Sequence, residues 1–232
     1  MEVVGLSWIE FKDQTNIEFG LTVSDIGRRQ RAEEQVDEYE IPYRNDNLII
    51  HTNTYKPYIR QIELTVKNKE KMKLVNAWLA GRGKLRTSID RDGYFIADIL
   101  KGLEVQKLSR LFDRFNVAFK VSPFFYLDSG DIPILITTQS TIFNPGTVYS
   151  EPYIKITGSG NVDLTINDTI YSFTEINSYI EIDTELKIVY KDTLNQGDKM
   201  TGNFPALIPG ANYIEWSGTV TSIEIKPRWR EL

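Results

Sequence analysis

The chain has no cysteine and a single histidine, His51. The first absence removes disulfides and every thiolate metal centre, so nothing asks for an oxidising compartment. The second excludes a histidine-rich metal site and makes any Ser/His/Asp triad depend on one residue. His51 lies between Ile50 and Thr52 in a strand-like stretch, where an exposed or hydrogen-bonded strand residue is expected. Long apolar runs are also missing. Runs such as "IPILI" from Ile132 to Ile136 fall far short of the roughly 20 residues a membrane helix needs, so no membrane insertion is expected. The opening "MEVVGLSWIEFKDQ" places Glu2 and Glu10 where a secretory leader needs a basic start, and no such leader is expected.

What remains is an ordinary globular composition. With 232 residues, 41% hydrophobic and 25% charged, the chain can bury one large or two modest cores. The charge is unevenly spread. Residues 1 to 130 hold 20 Lys or Arg and 19 Asp or Glu, whereas 131 to 232 hold 7 and 13, so the balance moves from +1 to −6. Such a shift marks a domain boundary, and the expectation is an N-terminal domain over 1–132 and a C-terminal domain over 133–232.

The N-terminal half contains one amphipathic helix, expected over about 68–80. Asn68 stands as N-cap, Met72, Val75 and Leu79 recur at helical spacing beside Leu74 and Trp78, and Gly81 and Gly83 offer a C-cap. The alternating lysines Lys67, Lys69, Lys71 and Lys73 read as exposed helix surface, since the acidic total argues against a large nucleic-acid footprint. Ahead of the helix, Tyr39, Ile41 and Tyr43 alternate up to a polar turn, Arg44 to Asn47, and Leu48 and Ile50 resume on the way back. This is a hairpin over about 39–55. Spacing alone leaves it packed on its own sheet or reaching away from its domain. Later, Phe115, Val117, Phe119 and Val121 alternate as a half-buried strand, which Pro123 is expected to stop; Phe124, Phe125 and Tyr126 follow without alternation. These three aromatics either cover a junction between the domains or plug the end of the first core.

The C-terminal half offers short β-rich runs at about ten-residue intervals, with turns expected at Gly158 to Gly160, Ile166 to Asp168, Ile182 to Glu185 and Ser217 to Gly218. That is the pattern of a β-sandwich. The Gly158 to Gly160 turn precedes a strand and no helix, so it builds no phosphate cradle. Glu181, Asp183 and Glu185 lie at period two opposite Ile180, Ile182 and Leu186; they form a solvated acidic face, a hard-cation site or a carboxylate pair. No catalytic constellation stands out, and the chain is expected to be a binding or assembly protein, not an enzyme, with no metal or other cofactor.

The succession "EIPYRNDNL", "AWLAGRGKL", "FNVAFKVSPFFY", "IFNPGTVYSEPYIKITGSGNVDLTIND" and "GNFPALIPGANYIEWSGTVTSIEIKPRWREL" resembles the distal tail proteins (Dit) of long, flexible-tailed bacteriophages and related prophages, across nearly the whole chain. One departure stands out. Where such proteins often carry glycines in the hairpin, Tyr43 replaces the first, and Asp46 or Asn47, which tolerate left-handed backbone, takes the place of the second.

The resemblance implies a mainly β chain with one amphipathic helix. A β-sheet or β-barrel-like N-terminal ring domain would be followed by a galectin-like C-terminal β-sandwich. It further implies a structural virion protein, assembled in the host cytoplasm, forming a hexameric ring at the distal end of the tail tube. Its partners would be its own copies, the tail tube protein, the tail-tip or baseplate hub and receptor-binding proteins, with DNA passing through the lumen without sequence-specific binding. The hairpin then reaches onto the neighbouring subunit through Tyr39, Ile41, Tyr43, Leu48 and Ile50, and Phe124, Phe125 and Tyr126 lie at the interdomain junction. The alternative from another class is a carbohydrate-binding sandwich for cell-wall attachment, drawing on Tyr149, Tyr153, Tyr171, Tyr179, Tyr213, Trp216 and Trp229.

Overall fold

The computed structural model describes residues 7–66, 69–101, 104–107 and 113–232. The chain is mostly β-strand and forms two compact units, Met1–Phe125 with Leu232, and Tyr126–Glu231. Residues 126 to 132, assigned by composition to the N-terminal domain, go with the second unit: the Leu127 N–H donates to the Trp229 carbonyl at 2.9 Å and the Arg228 N–H to that of Gly130 at 2.8 Å.

The strands of the first unit are β1 (Ile9–Phe11), β2 (Gln14–Thr15), β3 (Leu21–Asp25), β4 (Glu34–Tyr39), β5 (Leu48–Tyr55), β6 (Tyr58–Val66), β7 (Gly81–Thr87), β8 (Asp90–Ile99), β9 (Glu104–Lys107) and β10 (Asp113–Leu127). One sheet runs in the order β2-β1-β7-β8-β10-β6-β3, with β9 paired to β10. Its core face follows from period-two alternation: Ile62, Leu64 and Val66 on β6 and Phe115, Val117, Phe119 and Val121 on β10 are all buried. Burying each such side chain contributes roughly 1.5–3 kcal/mol.

The helix is shorter than its sequence pattern, Met72–Trp78 (α1) after a 3-10 turn at Lys69–Lys71. The expected cap Asn68 lies outside the described residues. Lys71 occupies the cap position without a side-chain capping bond; its Nζ donates instead to the Glu18 carbonyl at 3.0 Å. Val75, Trp78 and Leu79 face the core, whereas Leu74 is exposed. The Trp78 indole donates to the Phe11 carbonyl at 2.7 Å and stacks on Phe19 at 4.5 Å, which fixes α1 on the sheet.

Pro123 does not stop its strand. β10 continues to Leu127. The ladder with β6 runs from Asp113 opposite Val66 to Val121 opposite Tyr58, so Pro123 stands beyond it and its missing N–H costs no bond on that side.

The second unit contains β11 (Ile134–Ile136), β12 (Ser140–Asn144), β13 (Tyr153–Ile166), β14 (Thr169–Asp183), β15 (Ile188–Lys191), β16 (Leu194–Asn195), β17 (Met200–Thr201), β18 (Gly210–Lys226) and β19 (Arg230–Glu231). Two of the expected turns are absent, because Gly158 to Gly160 and Ser217 to Gly218 lie inside β13 and β18. There they mark bulges: register shifts fall between Gly160 and Val162 against β14, and at Thr157/Gly158 and Ser159/Val162 against β18.

The glycines are required by backbone proximity. A Cβ on Gly158 would meet the Thr219 carbonyl oxygen at 2.2 Å, and one on Gly218, with φ +94°, the Asn161 oxygen at 2.3 Å. Each one-residue bulge also flips the buried parity. On β14, Tyr171 and Phe173 are buried before it and Ile176, Ile180 and Ile182 after it; on β18, Ile214 precedes and Ile223 and Ile225 follow.

Three adjacent strands therefore bend at one level, and the unit is a β-sandwich whose two layers share them. β11 pairs the last part of β18 and β15 the last part of β14, while β12 and β17 pair their first parts. Both halves feed one core that includes Ile156, Leu164, Phe173, Ile182 and Ile223.

Candidate interaction surface

Among the described residues, strands β4 and β5 pair only with each other, as a separate two-stranded sheet. Tyr39 faces Leu48, Glu38 faces Ile49, Asp37 faces Ile50 and Val36 faces His51. Opposed residues share a face, so Tyr39, Leu48 and Ile50 line one side and Val36 and Ile49 the other. Neither side is covered: Tyr39 is 53% exposed, and Leu48, Ile49 and Ile50 are 49%, 49% and 47% exposed. An isolated two-stranded hairpin is marginal in water. One with apolar residues on both open faces is a candidate interaction surface.

Between the strands, residues 40 to 47 form the tip, so Ile41 and Tyr43 lie in the loop and not on a strand. Ile41 is half-buried, and Arg44 N–H closes a turn onto its carbonyl at 3.1 Å. Left-handed backbone falls on Tyr43, φ +68°, and not on Asp46 or Asn47, where it was expected. For a bulky residue that conformation costs about 1–2 kcal/mol. The Tyr43 side chain is fully exposed, at 108%. Val36 and Ile49 were missed by the period-two reading. The consecutive "LII" of Leu48 to Ile50, which breaks alternation, was the available signal.

The root of the arm is pinned. Tyr55, the last residue of β5, meets the Phe124 ring edge-on at 5.6 Å. Before β4 the chain passes Gly27, φ +68°, where a Cβ would stand 2.2 Å from the Gln61 carbonyl oxygen. Beside it Arg60 is wholly buried; its Nη1 donates to Asp90 Oδ2 at 2.8 Å and its Nε to the Ile26 carbonyl at 3.1 Å. Thr87 Oγ1 donates to the same carboxylate oxygen at 2.7 Å. Arg29 adds its charge at 3.7 Å from Asp90 Oδ1 and lies 4.7 Å over the Phe125 ring.

The aromatics at the strand exit divide their contacts. Phe124 packs at the arm root, and Phe125 is buried 4.9 Å from Phe95 in the first unit. Tyr126 is buried in the second, its hydroxyl 3.4 Å from Glu185 Oε1. Burial, reinforced by the Glu185 charge, raises its phenol pKa.

The acidic run Glu181, Asp183 and Glu185 does not converge. β14 ends at Asp183, which is buried with Thr184, while Leu186, expected in the core, is exposed. Arg228 grips Asp183 with two bonds of 2.8 Å and reaches Glu185 at 3.4 Å. Burial pushes the Asp183 carboxyl up, but Arg228 and the Leu186 and Glu185 N–H groups outweigh it and hold the pKa below its ordinary value. Glu181 instead accepts from the Tyr153 hydroxyl, whose pKa is raised by burial and by this bond. His51 Nδ1 lies 3.1 Å from Glu34 Oε2 on an exposed part of the arm. Among the described residues no cluster of three His, Cys, Asp or Glu could hold a metal ion.

The named rings of the sandwich are divided between its core and its surface. Tyr171 and Trp229 are core residues. Tyr149 lies under Arg230 at 4.7 Å. Tyr179 lies between Lys155 and Lys191 and bonds Asp192, which pushes its pKa up to about 12. No described helix is long and apolar enough to cross a membrane.

No family model matches the chain, and no curated protein matches it. Among solved structures it is similar to the crystal structure of the Dit (gp 19.1) protein of phage SPP1, described as a paradigm of the hub adsorption apparatus in phages infecting Gram-positive hosts. The TM-score is 0.70 at 11% identity, and the match covers 95% of this chain and 98% of that one. The fold is that of SPP1 Dit, through both units.

Proposed function

We propose that this chain is a structural phage tail protein, a distal tail component that forms a hexameric ring between the tail tube and the tail-tip or baseplate hub. The observation that carries this is the fold match over both units, 95% of the chain. A shared single domain would leave function open, because one fold hosts many functions. Agreement through a two-unit chain is a narrower coincidence.

The exposed arm supports the same reading. In a closed ring each subunit offers one surface forward and a different one backward, and an arm with apolar residues on both faces supplies a forward surface. Tyr39, Ile41, Tyr43, Leu48 and Ile50, joined by Val36 and Ile49, make that contact, and Phe124, Phe125 and Tyr126 serve the junction between ring domain and sandwich. The ring holds tube and hub together in the virion, receives receptor-binding proteins, and leaves a lumen through which DNA passes. Nothing in this role requires catalysis.

The test is negative-stain electron microscopy with light scattering on the purified protein and on a variant in which residues 40 to 54 are replaced by a short Gly-Ser link. Six-fold rings from the intact chain and monomers from the variant are expected. Rings that survive the deletion would remove the arm from the interface. A monomer at every concentration that instead binds cell-wall glycans would favour the carbohydrate-binding reading.

A further inference from the structure

Tyr43 combines two properties that no local contact explains. It adopts left-handed backbone, φ +68°, and among the described non-glycine residues that do so it is the only aromatic; the others are Asn, Asp, Ser, Lys, Glu or Arg. It is also fully exposed. A turn position of this kind favours glycine or asparagine, so tyrosine destabilises the free arm and gains nothing there in return.

Charge points to what the ring meets. Residues 33 to 55 carry six carboxylates against Arg44, a balance of −5, whereas the rest of residues 1 to 125 carries 19 basic and 12 acidic residues, a balance of +7. Arg28, Arg31 and Lys73 are exposed on that remainder. An arm of one sign on a body of the other is complementary to a second body of the same kind and repels a second arm.

We propose that Tyr43 is the anchor of the arm, packed against the basic body of a second copy of this chain, with the carboxylates of residues 33 to 46 steering the approach. This rests on the arm-to-neighbour reading above and adds to it the residue that determines affinity. A tyrosine at a loop tip presents a large, rigid area with few rotors to freeze, as interface anchors do. The backbone places it there before the partner arrives.

The experiment compares wild type, Tyr43→Gly, Tyr43→Phe and the 40-to-54 replacement by sedimentation velocity and thermal unfolding. Glycine relieves the left-handed backbone, so an anchor and a merely tolerated residue predict opposite signs. The expected result is that Tyr43→Gly keeps or raises Tm yet weakens self-association by about 30-fold, while Tyr43→Phe stays near wild type. In addition, salt weakens wild-type association. If Tyr43→Gly associates as tightly as wild type while the replacement variant does not associate, the arm reading stands and the anchor is overturned. If the replacement variant associates like wild type, the arm reading itself falls. A wild type that remains monomeric overturns both.

Discussion

The hairpins β4–β5 and β13–β14 are both antiparallel, and both carry isoleucine and tyrosine, yet they differ in what those side chains meet. On β13 and β14, Ile154, Ile156, Ile180 and Ile182 are buried in a core fed from both layers. On β4 and β5, Tyr39, Leu48, Ile49 and Ile50 are half exposed, and the strands pair only with each other. Apolar alternation specifies a strand and which residues share a face; it does not say whether the second layer comes from the same chain. In the sandwich the chain supplies its own second layer by bending three strands at one level. Among the described residues, the arm has no such layer within its unit.

The sharpest way to break this contrast is at the bend. Gly158→Val puts a branched side chain where even a Cβ meets the Thr219 carbonyl at 2.2 Å, and a loss of at least about 3 kcal/mol, or failure of the second unit to fold, is expected in urea unfolding. Truncating a core side chain comes next. Ile182→Ala should cost about 3 kcal/mol, with the first unit's transition unmoved.

The Asp183–Arg228 pair follows: Asp183→Ala takes both 2.8 Å bonds from a part-buried arginine and leaves it the longer contact to Glu185 at 3.4 Å, which should cost about 2 kcal/mol near neutral pH. Because the Asp183 pKa is lowered from 3.8, its contribution is complete above that value and disappears as pH falls through the depressed one. The penalty of Asp183→Ala, measured by unfolding, should therefore shrink toward zero in strong acid. Smallest for stability is Ile50→Ala, expected within about 0.5 kcal/mol of wild type while reducing self-association. A loss of several kcal/mol there would mean that the arm is packed at home and would dissolve the comparison.

Much of this architecture is legible in the sequence, and the failures are physically instructive. The helix and the hairpin follow from periodicity. The two-residue turn Asn167–Asp168, with φ +50° and +66°, follows from residues that tolerate left-handed backbone. The misread glycines, Gly158 and Gly218, look identical to turn glycines in one dimension. Their need arises from the approach of a neighbouring strand's carbonyl, which only pairing reveals.

The parity flip on β14, from Tyr171 and Phe173 to Ile176 and Ile180, was present in the sequence and marks a bulge when read strictly. Arg60 and Asp90, separated by 30 residues, give no local signal. A buried arginine looks the same as an exposed one until the fold brings its acid. The arm's apolar residues were legible as a hairpin. Their exposure was not, because exposure is a property of what is absent around them.

The six carboxylates of the arm also bear on the free chain. A two-stranded sheet with both outer edges unpaired and apolar side chains on each face is a template for indiscriminate strand addition. Glu34, Asp37 and Glu38 lie on β4 itself, where a second arm stacking in register would bring like charges opposite one another. The same residues therefore act as gatekeepers against arm-to-arm strand addition.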